Sequence, residues 1–210
     1  MEFVAGIDVG GTRKGSHVAM VDLRGCMVEP VLNVATPAAG IRHLLAYGVT
    51  TVVIDAPRRP APNGERSRSC ERSLRRSTGH GIFWTPDAAH VADHYLQDWL
   101  VNGFAWFEAA VAAGLDTEEG FPSAAFAHLD TRRAGESRAA FTTRVTADVR
   151  RRLGCGPFAV RGQDERDALC AAWIARACRL GDAQFAASDD GSSDRIAWVD
   201  AVQPSVRSNA

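Results

Sequence analysis

Asp8, Asp55, Asp164 and Asp167 stand where carboxylates are hard to accommodate. Phe3-Val4-Ala5-Gly6-Ile7 runs into Asp8, and Thr51-Val52-Val53-Ile54 runs into Asp55. Far downstream, Asp164-Glu165-Arg166-Asp167 opens an amphipathic stretch. A short apolar run reads as a buried strand, and a carboxylate at its end is costly unless it is paired, hydrogen-bonded or bound to a cation. Asp164 and Asp167 are three residues apart and share one helix face. If that face packs against two parallel strand ends, the carboxylates converge and raise one another's pKa values. One or two Mg²⁺ or Mn²⁺ ions relieve such repulsion, because hard cations take oxygen ligands and bridge to substrate phosphates. Taken singly, each aspartate suits a cap or an ion pair equally well, and Asp164 suits the N-cap of its helix.

The elements that must position these groups are legible in outline. Residues 3–9 read as a strand, followed by the turn Gly10-Gly11-Thr12-Arg13-Lys14-Gly15. Residues 16–23 and 26–34 read as two further strands meeting at Arg24-Gly25, so a meander opens the chain. A helix over Ala38–Tyr47 precedes the strand Thr50–Asp55, and Pro57, Pro60 and Pro62 then impose an irregular loop. Glu65–Ser77 and Pro86–Ala113 read as helical, the latter broken near Asn102-Gly103. Thr117–Phe121 reads as a strand ended by Pro122, and Glu136–Leu153 and Asp164–Leu180 as helices. After a Ser/Asp/Gly-rich loop at 188–194, Ile196–Val199 suits a short edge strand or a packing segment. Strands first, then strands alternating with helices, predict an α/β fold with a mixed β-sheet flanked by α-helices. One domain over 1–201 with a disordered tail over 202–210 fits the 210 residues.

Composition narrows the setting. The chain is 46% apolar and 23% charged, ordinary for a soluble globular protein, and no apolar run is long enough to span a bilayer. It opens on a strand-like segment rather than a basic, then apolar, signal, which favours the cytoplasm and no membrane partner. Cys26, Cys70, Cys155, Cys170 and Cys178 are odd in number and hold no Cys-x-x-Cys pair, so reduced, mostly buried thiols are expected. Lys14 is the sole lysine. Seven arginines fall within 58–76 (Arg58, Arg59, Arg66, Arg68, Arg72, Arg75, Arg76) and seven within 132–152, including Arg132, Arg138 and Arg144. Such clusters suit either a nucleic-acid backbone or solvated helix faces.

Other constellations carry less. His90-x-x-x-His94 with Asp87 and Asp93 places two imidazoles on one helix face, as a zinc site would, but no third ligand stands nearby in sequence. Trp99, Phe104, Trp106 and Phe107 read as helical core. Ser123 follows a proline, so no nucleophile elbow is present.

The segments Gly6-Ile7-Asp8-Val9-Gly10-Gly11, Ile54-Asp55-Ala56-Pro57, Gly64-Glu65-Arg66, Cys70-Glu71-Arg72, Glu119-Gly120-Phe121-Pro122-Ser123-Ala124-Ala125 and Asp164-Glu165-Arg166-Asp167-Ala168 occur in this order. Together they resemble the predicted nucleases of domain-of-unknown-function family 429, assigned to the RNase H-like fold, over residues 3 to about 199. The resemblance implies a metal-dependent phosphodiester hydrolase acting on nucleic acid, DNA or RNA. Asp8 matches the metal-binding aspartate of the first strand, Asp55 the acid near the fourth strand, and Asp164 and Asp167 the acids of a late helix. Two metals about 4 Å apart would activate a water and stabilise the leaving 3′ oxygen. Glu119 matches the glutamate before the family's proline motif, either a further ligand or an exposed acid. Arg13, Lys14, Arg58, Arg59, Arg66 and Arg72 would hold flanking phosphates, with a Glu/Arg ion-pair network as the equal alternative for Glu65, Arg66, Glu71 and Arg72.

Two other functions fit parts of the chain. Gly6-Ile7-Asp8-Val9-Gly10-Gly11-Thr12 resembles the phosphate loop of actin-like sugar kinases, where backbone N–H groups and Thr12 would cradle ATP. Those enzymes close two such domains on the nucleotide, and 210 residues provide one. A non-catalytic nucleic-acid-binding module would keep the acids for stability and show salt-sensitive binding without turnover.

Overall fold

A computed structural model describes residues 1–156 and 158–203. Seven strands form one mixed sheet in the order β3-β2-β1-β4-β5-β7-β6. They are β1 (Phe3–Asp8), β2 (Ser16–Asp22), β3 (Leu32–Val34), β4 (Thr51–Asp55), β5 (Asp116–Gly120), β6 (Gln184–Ala187) and β7 (Arg195–Trp198). The predicted meander is present, with β1, β2 and β3 antiparallel. β1, β4, β5 and β7 run parallel, and β6 closes the sheet antiparallel to β7. β7 is therefore interior rather than an edge strand.

The helices are α1 (Pro37–Ala46), α2 (Ser69–Thr78), α3 (Gln97–Ala112), α4 (Pro122–Leu129), α5 (Arg138–Arg152) and α6 (Gln163–Leu180). Local chemistry sets several starts. Thr36 Oγ1 accepts the Ala39 N–H ahead of Pro37, and Ser137 Oγ accepts the Ala140 N–H of α5. One core lies between the sheet and α6, built from Val4, Val53, Leu169, Trp173 and neighbours. The other lies between the sheet and α1 and α3, around Ile7, Ile54, Leu44 and Trp106. Successive strand residues alternate between these cores, as the two-residue period requires.

Gly6 sets how closely α6 approaches. A methyl group there would run into the backbone of Ala168 and Ala172, so only glycine lets the helix lie directly on β1. Gly103, expected to break its helix, instead lies within α3 where a methyl group would meet the Ala56 side chain.

Several boundaries differ from the sequence expectation for identifiable reasons. The 26–34 strand shrinks to Leu32–Val34 because Pro30 has no N–H to donate to a ladder. Residues 86–96 are turns rather than helix. Pro86 O accepts the Ala61 N–H, and Asp87 accepts N–H groups of Gly64 and His90, so tertiary bonds replace the helical ones. Cys26 and Cys155 form a disulfide across a sequence separation of 129, against the expectation of free thiols. The turn after β2 and the end of α5 meet there, a proximity that no local pattern encodes. Cys70 and Cys170 are free and buried, as expected. The disulfide removes the cysteine-based argument for a cytoplasmic setting. Among the described residues no helix is long and apolar enough to cross a membrane. Most of the tail expected over 202–210 lies outside the described residues.

Candidate metal centre

Asp8 ends β1 and Asp55 ends β4, and the two pair directly in parallel register. Val4, Gly6 and Asp8 alternate to the α6 side of the sheet, as do Val53 and Asp55. Gly162 caps α6, so Asp164 is not the cap expected from sequence. It sits within the first turn, and Asp167 follows on the same face. The close seat of α6 on Gly6 brings this turn over the strand ends.

The resulting electrostatics are adverse. Burial, then repulsion from Asp167 and Asp164, pushes the Asp8 carboxyl up to about 8. Burial, then Asp8 and Asp167, drives Asp55 well above the ordinary carboxylate range. Asp167 is raised to about 6, chiefly by burial, despite the opposing Arg138 charge.

Two cations answer part of this. Lys14 Nζ lies 2.6 Å from Asp164 Oδ2. Arg138 Nη2 lies 3.2 Å from Asp167 Oδ2 and donates to Ser123 Oγ at 3.1 Å. Gln163 Nε2 donates to the other Asp167 oxygen at 2.8 Å. Asp8 has weaker support, with His17 Nδ1 4.0 Å from its Oδ2. Asp8, His17 and Asp164 offer ligand atoms within 4.8 Å of one another, the one such trio among the described residues. Asp55 and Asp167 are not part of that trio. An oxygen-rich set with one imidazole and excess negative charge fits a divalent cation.

The remaining sequence-derived candidates divide. Glu119 pairs in register with Ile54, whose side chain belongs to the opposite core, yet it lines the same cleft as Asp55 and adds to the repulsion on it. There Arg68 grips both carboxylate oxygens at 2.7 and 2.6 Å, and the Arg58 N–H donates to it at 2.9 Å. Its oxygens are engaged in a buried ion-pair network that also contains Glu71. Of the expected phosphate-holding residues, Arg58 donates to Thr117 O and packs over Phe107. Arg59 pairs with Asp194 at 2.9 Å and Arg72 with Glu65 at 3.0 Å. Arg13 and Arg66 are exposed. Arg138 faces the acids instead, and sequence spacing held no sign of it.

Asp8, Asp55, Asp167 and Glu119 line a cleft of about 360 Å³ together with Ile82, Phe83 and Trp99. Phe83 is exposed and meets Tyr95 edge-on, with ring centroids 6.4 Å apart. His17 had a readable signal: the β1–β2 hairpin places it opposite Asp8. Thr12 gives its N–H and hydroxyl to Asp98 at 2.8 and 2.7 Å, so the two Thr12 donors of an ATP-phosphate loop are already engaged. His90 pairs with Asp87 on a turn, so the expected two-histidine helix face does not form.

No protein-family model matches the chain, and no curated protein matches it. Among solved structures, the chain is similar to Thermus thermophilus RuvC in complex with Holliday junction substrate. Identity is 17%, the TM-score is 0.50, and the match covers 86% of this chain and 97% of that one. A second Thermus thermophilus RuvC structure matches at 17% identity with a TM-score of 0.48, covering 85% and 96%. At this identity the likeness concerns the architecture, and with the mixed sheet and strand order above it establishes that the chain has the RNase H-like fold.

Proposed function

We propose that this protein is a divalent-metal-dependent phosphodiester hydrolase acting on nucleic acid. The observation that carries the reading is the convergence of Asp8, Asp55, Asp164 and Asp167 at two parallel strand ends and one helix start. Asp8, Asp164 and, at the margins, Asp55 and Asp167 would hold Mg²⁺ or Mn²⁺. An ion bound there supplies Lewis-acid activation of water and charge stabilisation at the leaving oxygen.

The chain's own groups do the rest. Lys14 is 60% exposed and long enough to leave Asp164 for a substrate phosphate once another cation neutralises that acid. Arg138 holds Asp167 in place and presents a second positive group to the cleft. Exposed Arg13 and Arg66 extend the positive track for flanking phosphates. The ordered motifs shared with the predicted nucleases of family 429 support the same reading. So does the architecture shared with a RuvC bound to a Holliday junction.

The test is cleavage of single strands, duplexes, RNA–DNA hybrids and four-way junctions with Mg²⁺ or Mn²⁺. Wild-type protein is compared with the Asp8→Asn, Asp164→Asn double variant. Cutting by the wild type alone is the expected result and identifies the substrate class. Equal cutting by both, or by neither, overturns the proposal.

A further inference from the structure

We infer that His17 is itself a ligand of the cation held by Asp8 and Asp164, and that this imidazole makes the centre select a first-row transition ion such as Mn²⁺ over Mg²⁺. The inference rests on the proposed reading of the site as a cation centre and adds its metal preference.

Geometry places the ring. His17 lies on β2 in direct register with Asp8 on β1, and it shares the α6 side of the sheet with Ala19 and Val21. Its side chain is 16% exposed and Asp8's is 17%, so both stand at the rim of the core rather than in open solvent. Nδ1 points at Asp8 Oδ2 from 4.0 Å, beyond hydrogen-bond reach. Ligand atoms sharing one ion through bonds of about 2.1 Å lie roughly 3 to 4 Å apart. The separation therefore suits an ion between the two groups better than a direct contact. Asp164 closes the trio within 4.8 Å. Its carboxylate is already paired with a cation, the Lys14 ammonium at 2.6 Å.

The far edge of the ring is also held. Asn33, the register partner of His17 on β3, brings Nδ2 to 3.3 Å from Nε2 and donates to Lys14 O at 3.2 Å. An outer partner on the second ring nitrogen is the usual arrangement for a ligating histidine. With Nδ1 on the ion, Nε2 carries the proton, so the Asn33 amide must flip to present its oxygen and gives up its bond to the Lys14 carbonyl. Carboxylates and water alone suit Mg²⁺, whereas an imidazole shifts affinity toward the later divalent ions.

The test uses Mn²⁺ as both ligand and probe. Full-length protein carrying ¹⁵N-histidine is loaded with one equivalent of Mn²⁺ and studied by pulsed electron paramagnetic resonance. The expected spectrum shows coupling to one imidazole nitrogen, lost in His17→Gln. Competition titrations should show His17→Gln weakening Mn²⁺ about tenfold or more while changing Mg²⁺ affinity less than threefold. Mn²⁺ bound without nitrogen coupling, or coupling retained in His17→Gln, overturns the role of His17 and leaves the carboxylate site standing. No bound Mn²⁺ in the wild type, or binding indifferent to Asp8→Asn, overturns both. The wild-type spectrum decides the matter even where the variant folds poorly.

Discussion

Asp8 ends its strand among like charges, and its raised pKa makes a prediction with a definite sign. The group titrates near 3.9 in an unfolded chain and at about 8 in the folded one. Between those values the folded state holds a proton that the unfolded state has lost. The associated stability is full below about pH 4 and lost as pH rises to about 8. Asp55 acts in the same direction. In chelator, melting temperature should fall from pH 5 to pH 8, and Asp8→Asn should flatten that fall. Parallel profiles for the two proteins would contradict the assignment. Glu119 makes the opposite case at the same scale. It is 4% exposed and Arg68 is 2% exposed, so removing one charge strands the other. Glu119→Gln should lower unfolding free energy by about 3–5 kcal/mol in urea titrations and leave cation affinity unchanged. Lost cation binding at unchanged stability would mark Glu119 as a ligand. The choice between these roles was not readable from one sequence, because it depends on β5 pairing Glu119, not Glu118, with Ile54.

Among the elements, α6 on β1 matters most to the centre, since it carries Asp164 and Asp167 to the strand ends. Gly6→Ala should lower stability by about 1–3 kcal/mol and weaken divalent-cation binding together, read by urea unfolding and calorimetry. Unchanged cation affinity would mean that the acids do not depend on this seat. The disulfide ties the β2 turn to the end of α5 across 129 residues. Reductant should therefore lower stability by about 2–4 kcal/mol in the wild type and leave Cys26→Ser unaffected. Equal melts with and without reductant would contradict a structural bridge. Elements with strong periodicity and a capping or turn residue, such as β1, β4, α1 and α6, were legible in sequence to within a few residues. The 86–96 segment was not, because Asp87 bonds across to Gly64. Nor was β6, whose four residues form a strand through pairing with β7.

For the whole molecule, the order of the parallel strands turns three scattered motifs into one cleft. The aspartates themselves were visible as misfits at the ends of apolar runs, and their meeting followed from β1 pairing with β4. Residues brought to the cleft by tertiary placement, Arg138 and Phe83, left no local trace. A cation site made from mutually repelling carboxylates should bind its ion with proton release, because Asp8 must lose its proton first. The most direct measurement is calorimetric titration of Mg²⁺ and Mn²⁺ into wild-type protein and Asp8→Asn at pH 7, in two buffers of different ionisation heat. Saturable wild-type binding with buffer-dependent heat, abolished in Asp8→Asn, is the predicted result. No binding, or binding that survives Asp8→Asn unchanged, would contradict a metal centre at these strand ends and the hydrolase built upon it.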